Sequence, residues 1–319
     1  MKPLIVAVGS LNADLTARVP RFPVPGQTVT GDRFETFPGG KGANQAYAAA
    51  RLGARVEMVG QVGADGHGEW LTRHLAQVGV GVGHVVTDPI AATGVAIILI
   101  DAEGQNEIVV TPGANGTFAH NRLGAAEELI ASAGFVLLQL EIPLETVERA
   151  VRVGRRGGAR IMLDPAPARD IPDALLAAVD YVTPNETELA ILCGTRVGSR
   201  GSKPSPADRA ALRDSALALR SRGARTVIVK AGVDGALLVG EAGERFWPAI
   251  EVDAVDTTAA GDAFNAAFAV ALVEGQAEQD AGRFATAAAA HSVTRSGAQT
   301  SMPTRNDVEL LLRSASGLK

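Results

Sequence analysis

The hydrophobic positions of this chain fall into short β-rich runs separated by longer Ala- and Leu-rich stretches of helical character. LIVAVG (4–9), VEMVG (56–60), FVLLQL (135–140), RIMLD (160–164), YVTP (181–184) and TVIVK (226–230) are mostly apolar along their length, as expected of strands covered on both faces. Between them, 43–52, 67–77, 122–132, 144–155, 207–221 and 262–273 predict helices. The alternation predicts an α/β fold, with a mainly parallel central sheet flanked by helices. Two regions break the rhythm. Residues 13–37 and 91–112 alternate polar and apolar positions around the turn DAEGQ (101–105) and predict antiparallel strands forming a small β-sheet lid. The α/β body then comprises 1–12, 38–90 and 113–319, with a Gly/Ser/Pro loop at 196–206.

Composition narrows the classes. A chain of 319 residues can bury one large core, and a formal charge of −5, from 30 basic against 35 acidic residues, leaves no footprint for nucleic acid or an anionic membrane. The apolar stretch near the N-terminus is too short for a secretory segment, and VAIILI (95–100) is far shorter than a membrane span. The single cysteine, Cys193, cannot form an internal disulfide; it suits a reducing compartment, the cytoplasm, and reads as an inert buried thiol. The histidines at 67, 74, 84, 120 and 291 have no zinc-site spacing, and no G-x-S-x-G elbow is present.

Candidate chemistry gathers where strands end, the place where open α/β sheets hold ligands. Asn12 and Asp14 follow the first strand; together they suit the neighbouring hydroxyls of a polyol, and equally a turn or cap. Gly39-Gly40-Lys41-Gly42 leads into a helix carrying Asn44. It is not a Walker A loop, because Gly42 stands where a Ser or Thr would hold magnesium. Its glycines allow close backbone approach to a ligand whose oxygens Lys41 and Asn44 could contact, or else form a plain strand-to-helix turn. Glu141 ends another strand. Asn185 and Glu188 have the spacing of a capping box, which is compatible with Glu188 holding water around magnesium. Lys230 to Gly235 closes a strand with a hairpin-like turn that could pass over a nucleotide. Asp262 begins a helix directly after Ala259-Ala260-Gly261. A carboxylate in a first turn needs no special cause, but small residues beside it leave N–H groups open to an anion. An acid next to an anion site makes sense when one takes a proton and the other steadies a phosphate.

In order, NAD (12–14), PGQTVTG (25–31), PGGKGANQA (38–46), TGVA (93–96), PGAN (112–115), QLEIP (139–143), DPAPAR (164–169), TPNETE (183–188), DTTAAGDAFNAAF (256–268) and TRSGAQTSMP (294–303) resemble the ribokinase branch of the PfkB sugar-kinase family. The resemblance implies an α/β body with a β lid that doubles as a homodimer interface, and ATP-dependent phosphorylation of the 5-hydroxyl of D-ribose. It implies that Asp262 is the catalytic base and that Ala259, Ala260 and Gly261 form the anion hole. Asn12, Asp14, Gly40, Lys41, Asn44, Glu141 and Asp262 would hold the sugar, with Ala96 and Ile108 of the lid facing it. Asn185, the turn Lys230-Ala231-Gly232-Val233-Asp234-Gly235, Gly261 and Thr286 would lie along ATP, and Glu188 would organise hydrated Mg2+. Asp256, Thr258, Ser292, Arg295, Gly297 and Ser301 would hold a monovalent cation, K+. Lys230 and Thr286 depart from the pattern: some ribokinases carry a small hydroxyl residue and His there.

Overall fold

The computed structural model describes residues 3–195 and 206–315, so the loop expected at 196–206 lies outside the described residues but for Pro206, which opens a helix. In chain order the strands are β1 (Leu4–Val8), β2 (Asn12–Arg18), β3 (Arg33–Gly39), β4 (Arg55–Gly63), β5 (Gly81–Asp88), β6 (Gly94–Ile100), β7 (Asn106–Thr111), β8 (Phe135–Leu138), β9 (Arg160–Leu163), β10 (Tyr181–Val182), β11 (Thr226–Lys230), β12 (Gly235–Gly240) and β13 (Gly243–Pro248). The α-helices are α1 (Lys41–Arg51), α2 (Gly66–Gln77), α3 (Glu127–Ala131), α4 (Leu144–Gly157), α5 (Asp173–Ala178), α6 (Glu186–Leu192), α7 (Pro206–Ser221), α8 (Ala260–Val273), α9 (Glu278–Ser292) and α10 (Arg305–Ala315).

The main sheet has the order β13-β12-β11-β10-β9-β8-β1-β4-β5, parallel from β11 to β5, with β12 and β13 adding an antiparallel edge. Its strands read as continuous apolar runs because both faces are covered. Along β1, Ile5 and Ala7 enter one core with α1, α8 and α9, while Leu4, Val6 and Val8 enter the other with α4 and α5. Helix α8 is apolar on all sides, and Ala263 to Leu272 are buried, as a helix enclosed by neighbours must be. The chain leaves β1 for β4 on one side and later lays β8 on the other. This reversal, at the carboxyl ends of β1 and β8, is the place where open α/β sheets hold their ligands.

The second sheet has the order β3-β2-β6-β7. The outer pairs are antiparallel, but the central pair, β2 with β6, is parallel, which corrects the expectation of an antiparallel lid. Topology gives the reason: β2 and β6 both enter this sheet from the body, so they run the same way. The predicted helix at 122–132 is also modified. Its first part, His120–Ala126, is a 3-10 turn, and only Glu127–Ala131 is α-helical. Edge strand β5, hairpin β12–β13 and helices α9 and α10 were not singled out by the hydrophobic pattern.

Candidate active site

Asp262 is 3% exposed in the first turn of α8. One carboxylate oxygen accepts from Asn44 Nδ2 at 3.0 Å and the other from Gln45 Nε2 at 2.9 Å. The two amides come from adjacent residues near the start of α1. Burial raises the pKa of Asp262; Lys41 opposes the rise, Asp164 adds to it, and the two amide hydrogen bonds hold it back. The preceding turn is strained: Ala259 has φ 58°, a left-handed value found at no other non-glycine residue among those described. The strain sets the α8 N-terminus, whose first-turn N–H groups cannot bond within the helix. Of the three residues expected to form an anion hole, Ala260 donates to Thr257 O at 3.3 Å, the long end of the range.

The glycine turn before α1 does something other than expected. Gly40 has φ +88°, and a Cβ there would stand 2.7 Å from Asn12 N and 2.8 Å from Leu11 Cα. Without a Cβ, this turn lies against the chain's own β1–β2 connection. That packing brings Lys41 to Glu141, whose carboxylate accepts from the Lys41 N–H at 3.1 Å and from Ser10 Oγ. Glu141 is therefore no loose solvated acid. Burial alone would lower the pKa of Lys41, but Asp262, Asp164, Glu141 and Glu188 together raise it, so it stays an ammonium.

Asn12 is buried, and its Oδ1 accepts from Asn115 Nδ2 at 2.7 Å; Asn115 also bonds Leu11 N and O at 3.0 and 2.9 Å. Asp14, two residues along β2, is pushed up to about 7, first by burial, then by Glu141 and Asp262. Strand register pairs Asp14 with Ala96, and Ile98 with Ile108, so Asp14, Ala96 and Ile108 share one face of the lid. Ala96 is buried, whereas Ile108 is 54% exposed at the outer strand.

Asn185 and Glu188 form the capping box, each side chain meeting the other's N–H at 2.8 Å. Burial raises the pKa of Glu188, Lys230 opposes this and Asp164 reinforces it. The hairpin reading of 230–235 holds: a 3-10 turn, Gly232–Asp234, joins β11 to β12, and Val233 projects outward. Lys230 turns instead toward Asp164, 2.9 Å away. Thr286 is buried in α9 and donates to Gly282 O at 2.9 Å, so its hydroxyl proton is already committed. Asp256 joins two loops, accepting from Thr258 N at 2.9 Å and Gly297 N at 2.8 Å. Ser292 and Ser301 donate to carbonyls three residues earlier, each at 2.8 Å, which leaves their oxygen lone pairs to accept. Arg295 is exposed in the same loop.

Several site residues carry no signal of their own in the sequence. Gln45, Asp164, Gln139 and Asn115 lie inside or beside the motifs, but their partners are far along the chain. Gln45, for instance, meets Asp262 across 217 residues. Cys193 is only half-buried, its thiol pushed up by burial and its sulfur 3.3 Å from Ser215 O. His67 and His74 both lie on α2, and His74 stacks on Tyr47 with ring centroids 5.2 Å apart. Among the described residues no helix is long and apolar enough to cross a membrane.

Comparison with known proteins agrees with this geometry. The pfkB family carbohydrate kinase model matches residues 2–305. The chain is 41% identical to the ribokinase of Bacillus subtilis over 308 residues, 97% of this chain and 99% of that one. It is 36% identical to the deoxyribokinase of Salmonella typhi, covering 94% and 95% of the two chains. The structure of Arabidopsis thaliana ribokinase complexed with ribose and ATP superposes with a TM-score of 0.90 at 35% identity, covering 98% of this chain and 99% of that one. A family match of this extent, over a fold that buries an acid at a strained helix start beside a strand-end polar cluster, shows that the chain belongs to the pfkB family of carbohydrate kinases.

Proposed function

We propose that this protein transfers the γ-phosphoryl group of ATP to the 5-hydroxyl of D-ribose, giving D-ribose 5-phosphate and ADP. The observation that carries the reading is Asp262: a buried carboxylate held at both oxygens in the first turn of a helix, three residues after the strained Ala259. Its pKa is raised, which suits a group that must accept a proton. Asp262 takes the hydroxyl proton as the sugar oxygen bonds to phosphorus and the bond to ADP breaks. The N–H groups at Ala259, Ala260 and Gly261 steady the transferred charge. The ribokinase from Bacillus subtilis and the Arabidopsis ribokinase complexed with ribose and ATP support this choice of substrates.

Asn12, Asp14, Gly40, Lys41, Asn44 and Glu141 hold the sugar in this reading, under a lid contributing Ala96 and Ile108. Asn185, the backbone of the 230–235 turn, Gly261 and Thr286 line the nucleotide, while the Lys230 side chain stays on Asp164. Glu188, whose carboxylate faces Lys230 and Asp164, fits a hydrated Mg2+ carried mainly by phosphate and water. Asp256 with the Ser292 and Ser301 oxygens fits K+, which would neutralise charge behind the anion turn. The lid also presents Phe34, Ile97 and Val109, 65%, 45% and 62% exposed, on the face opposite Asp14, and this apolar surface supports a homodimer formed through the lid. An ATP co-substrate and a single free cysteine fit a cytoplasmic location.

The test is ADP release with Mg-ATP across ribose, 2-deoxyribose, fructose, 2-keto-3-deoxygluconate and adenosine, in potassium or in sodium alone. Ribose should be preferred, with potassium raising the rate. A preference for 2-deoxyribose would favour the second reading, which the Salmonella relative supports, and no turnover with any acceptor would overturn the kinase reading.

A further inference from the structure

Behind Asp262 lies a buried chain of polar side chains, Gln139, Gln45, Asp164 and Lys230, to which the phosphoryl-transfer reading gives no side-chain role. Gln45 Nε2 donates to Asp262 at 2.9 Å and to Asp164 at 3.1 Å, so a single amide nitrogen bridges two carboxylates. Gln139 Nε2 donates to Gln45 Oε1 at 2.7 Å, which fixes the direction of the Gln45 amide. Lys230 Nζ lies 2.9 Å from the other oxygen of Asp164, and their side chains are 13% and 2% exposed. Lys230 also lies against the residue before the base: a Cβ on Gly261 would stand 3.1 Å from its Nζ. Two neighbouring carboxylates in a buried setting cannot both stay ionised without counter-charges. Lys41 serves Asp262 in that role, and Lys230 serves Asp164.

We propose that Lys230, Asp164 and Gln45 form one positioning unit for the base: Gln45 fixes the Asp262 carboxylate, and Lys230 neutralises Asp164 so that Asp262 stays ionised and able to take a proton. The inference rests on Asp262 being the base. The other charged groups around Asp262 are Lys41 on α1, Asp14 on β2 and Glu141 after β8, with Glu188 on α6 acting on Lys41 and Lys230. None of them is bridged to Asp262 by Gln45, so changes at Lys230 and Asp164 act along a separate line. Their signs are opposite. Removing Lys230 leaves Asp164 as an uncompensated anion beside the base and lifts the Asp262 titration. Removing the Asp164 charge frees Lys230 as a cation and lowers it.

The experiment is a 13C-carboxyl NMR titration of Asp-labelled, ligand-free protein, with the Asp262 resonance assigned by its loss in Asp262→Asn. Lys230→Met should move the Asp262 midpoint up by about one pH unit or more, Asp164→Asn should move it down, and the double variant should bring it back near the starting value. Turnover is measured in parallel. Lys230→Met should lose about tenfold in kcat at neutral pH, regain it as pH rises, and be rescued by Asp164→Asn in the same chain. If Lys230→Met does not fold, the downward shift in Asp164→Asn and the restored Asp262 midpoint of the double variant still test the claim. An unmoved Asp262 midpoint in Asp164→Asn, or a double variant no better than Lys230→Met alone, overturns it; the latter would assign Lys230 directly to the nucleotide. Because the titration needs no substrate, the inference can fail while the kinase reading stands. Equally, an unmodified protein with no turnover would sink the kinase reading without touching the titration.

Discussion

The corner around Asp262 and the lid carry the same kinds of side chain but hold them differently. Asp262 is enclosed, and each of its oxygens is fixed by an amide from α1. Asp14, on a lid strand, is half-buried, and its pKa is raised to about 7 first by that burial and then by the charges of Glu141 and Asp262. The body holds its acid in one geometry between two amides, while the lid carries its acid on a sheet whose outer strand β7 is exposed along its whole length. In the proposed reading the base is preorganised on the scaffold, and closure over the sugar is left to the lid.

The sharpest break of this contrast is at the base. Asp262→Asn should lose roughly 10²-fold or more in kcat while keeping its folded spectrum and its ribose binding, as judged by circular dichroism and calorimetry. Glycine substitutions compare the regions directly. Gly40→Ala places a Cβ against backbone at a φ of +88° and should cost more than about 3 kcal/mol in urea unfolding. Gly104→Ala, at φ +77° on the lid turn with open space around it, should cost only about 1 kcal/mol.

Asp14 sharpens the comparison through pH. Its folded pKa of about 7 lies above the ordinary value of 3.8, so the folded state binds the extra proton between those values and stability falls as pH rises through that window. The penalty is absent below about 4 and complete above about 7. Asp14→Asn should therefore be more stable than the parent at pH 8, by roughly 2–4 kcal/mol, yet weaker in sugar binding; equal thermal midpoints at pH 8 would contradict this. The smallest effect is expected in the ligand-free lid. Ribose should slow amide exchange across β2, β3, β6 and β7 while leaving β8 and β9 nearly unchanged.

The same contrast explains what could be read from the sequence. The strands of the body were legible because burial on both faces leaves unbroken apolar runs such as FVLLQL. The parallel pairing of β2 with β6 was not, because it depends on where the chain re-enters the lid after β4, α2 and β5. Helix α9 escaped notice because its alanines blur the contrast between its faces, and hairpin β12–β13 because nothing local marks it as the sheet's edge. In the site, Asp262, Asn44, Asn12 and Asp14 stood out as polar residues at strand ends or in a first turn. Gln45 and Asp164 did not, since an amide or acid beside a motif gains meaning only from partners 119 and 217 residues away.

The central claim is that phosphate goes to the 5-hydroxyl of ribose, and the product tests it most directly. A 31P–1H correlation spectrum of the reaction of ribose with Mg-ATP should show a new phosphomonoester coupled to the two C5 methylene protons. Coupling to the anomeric proton, or ADP formed with no phosphomonoester at all, would contradict the account.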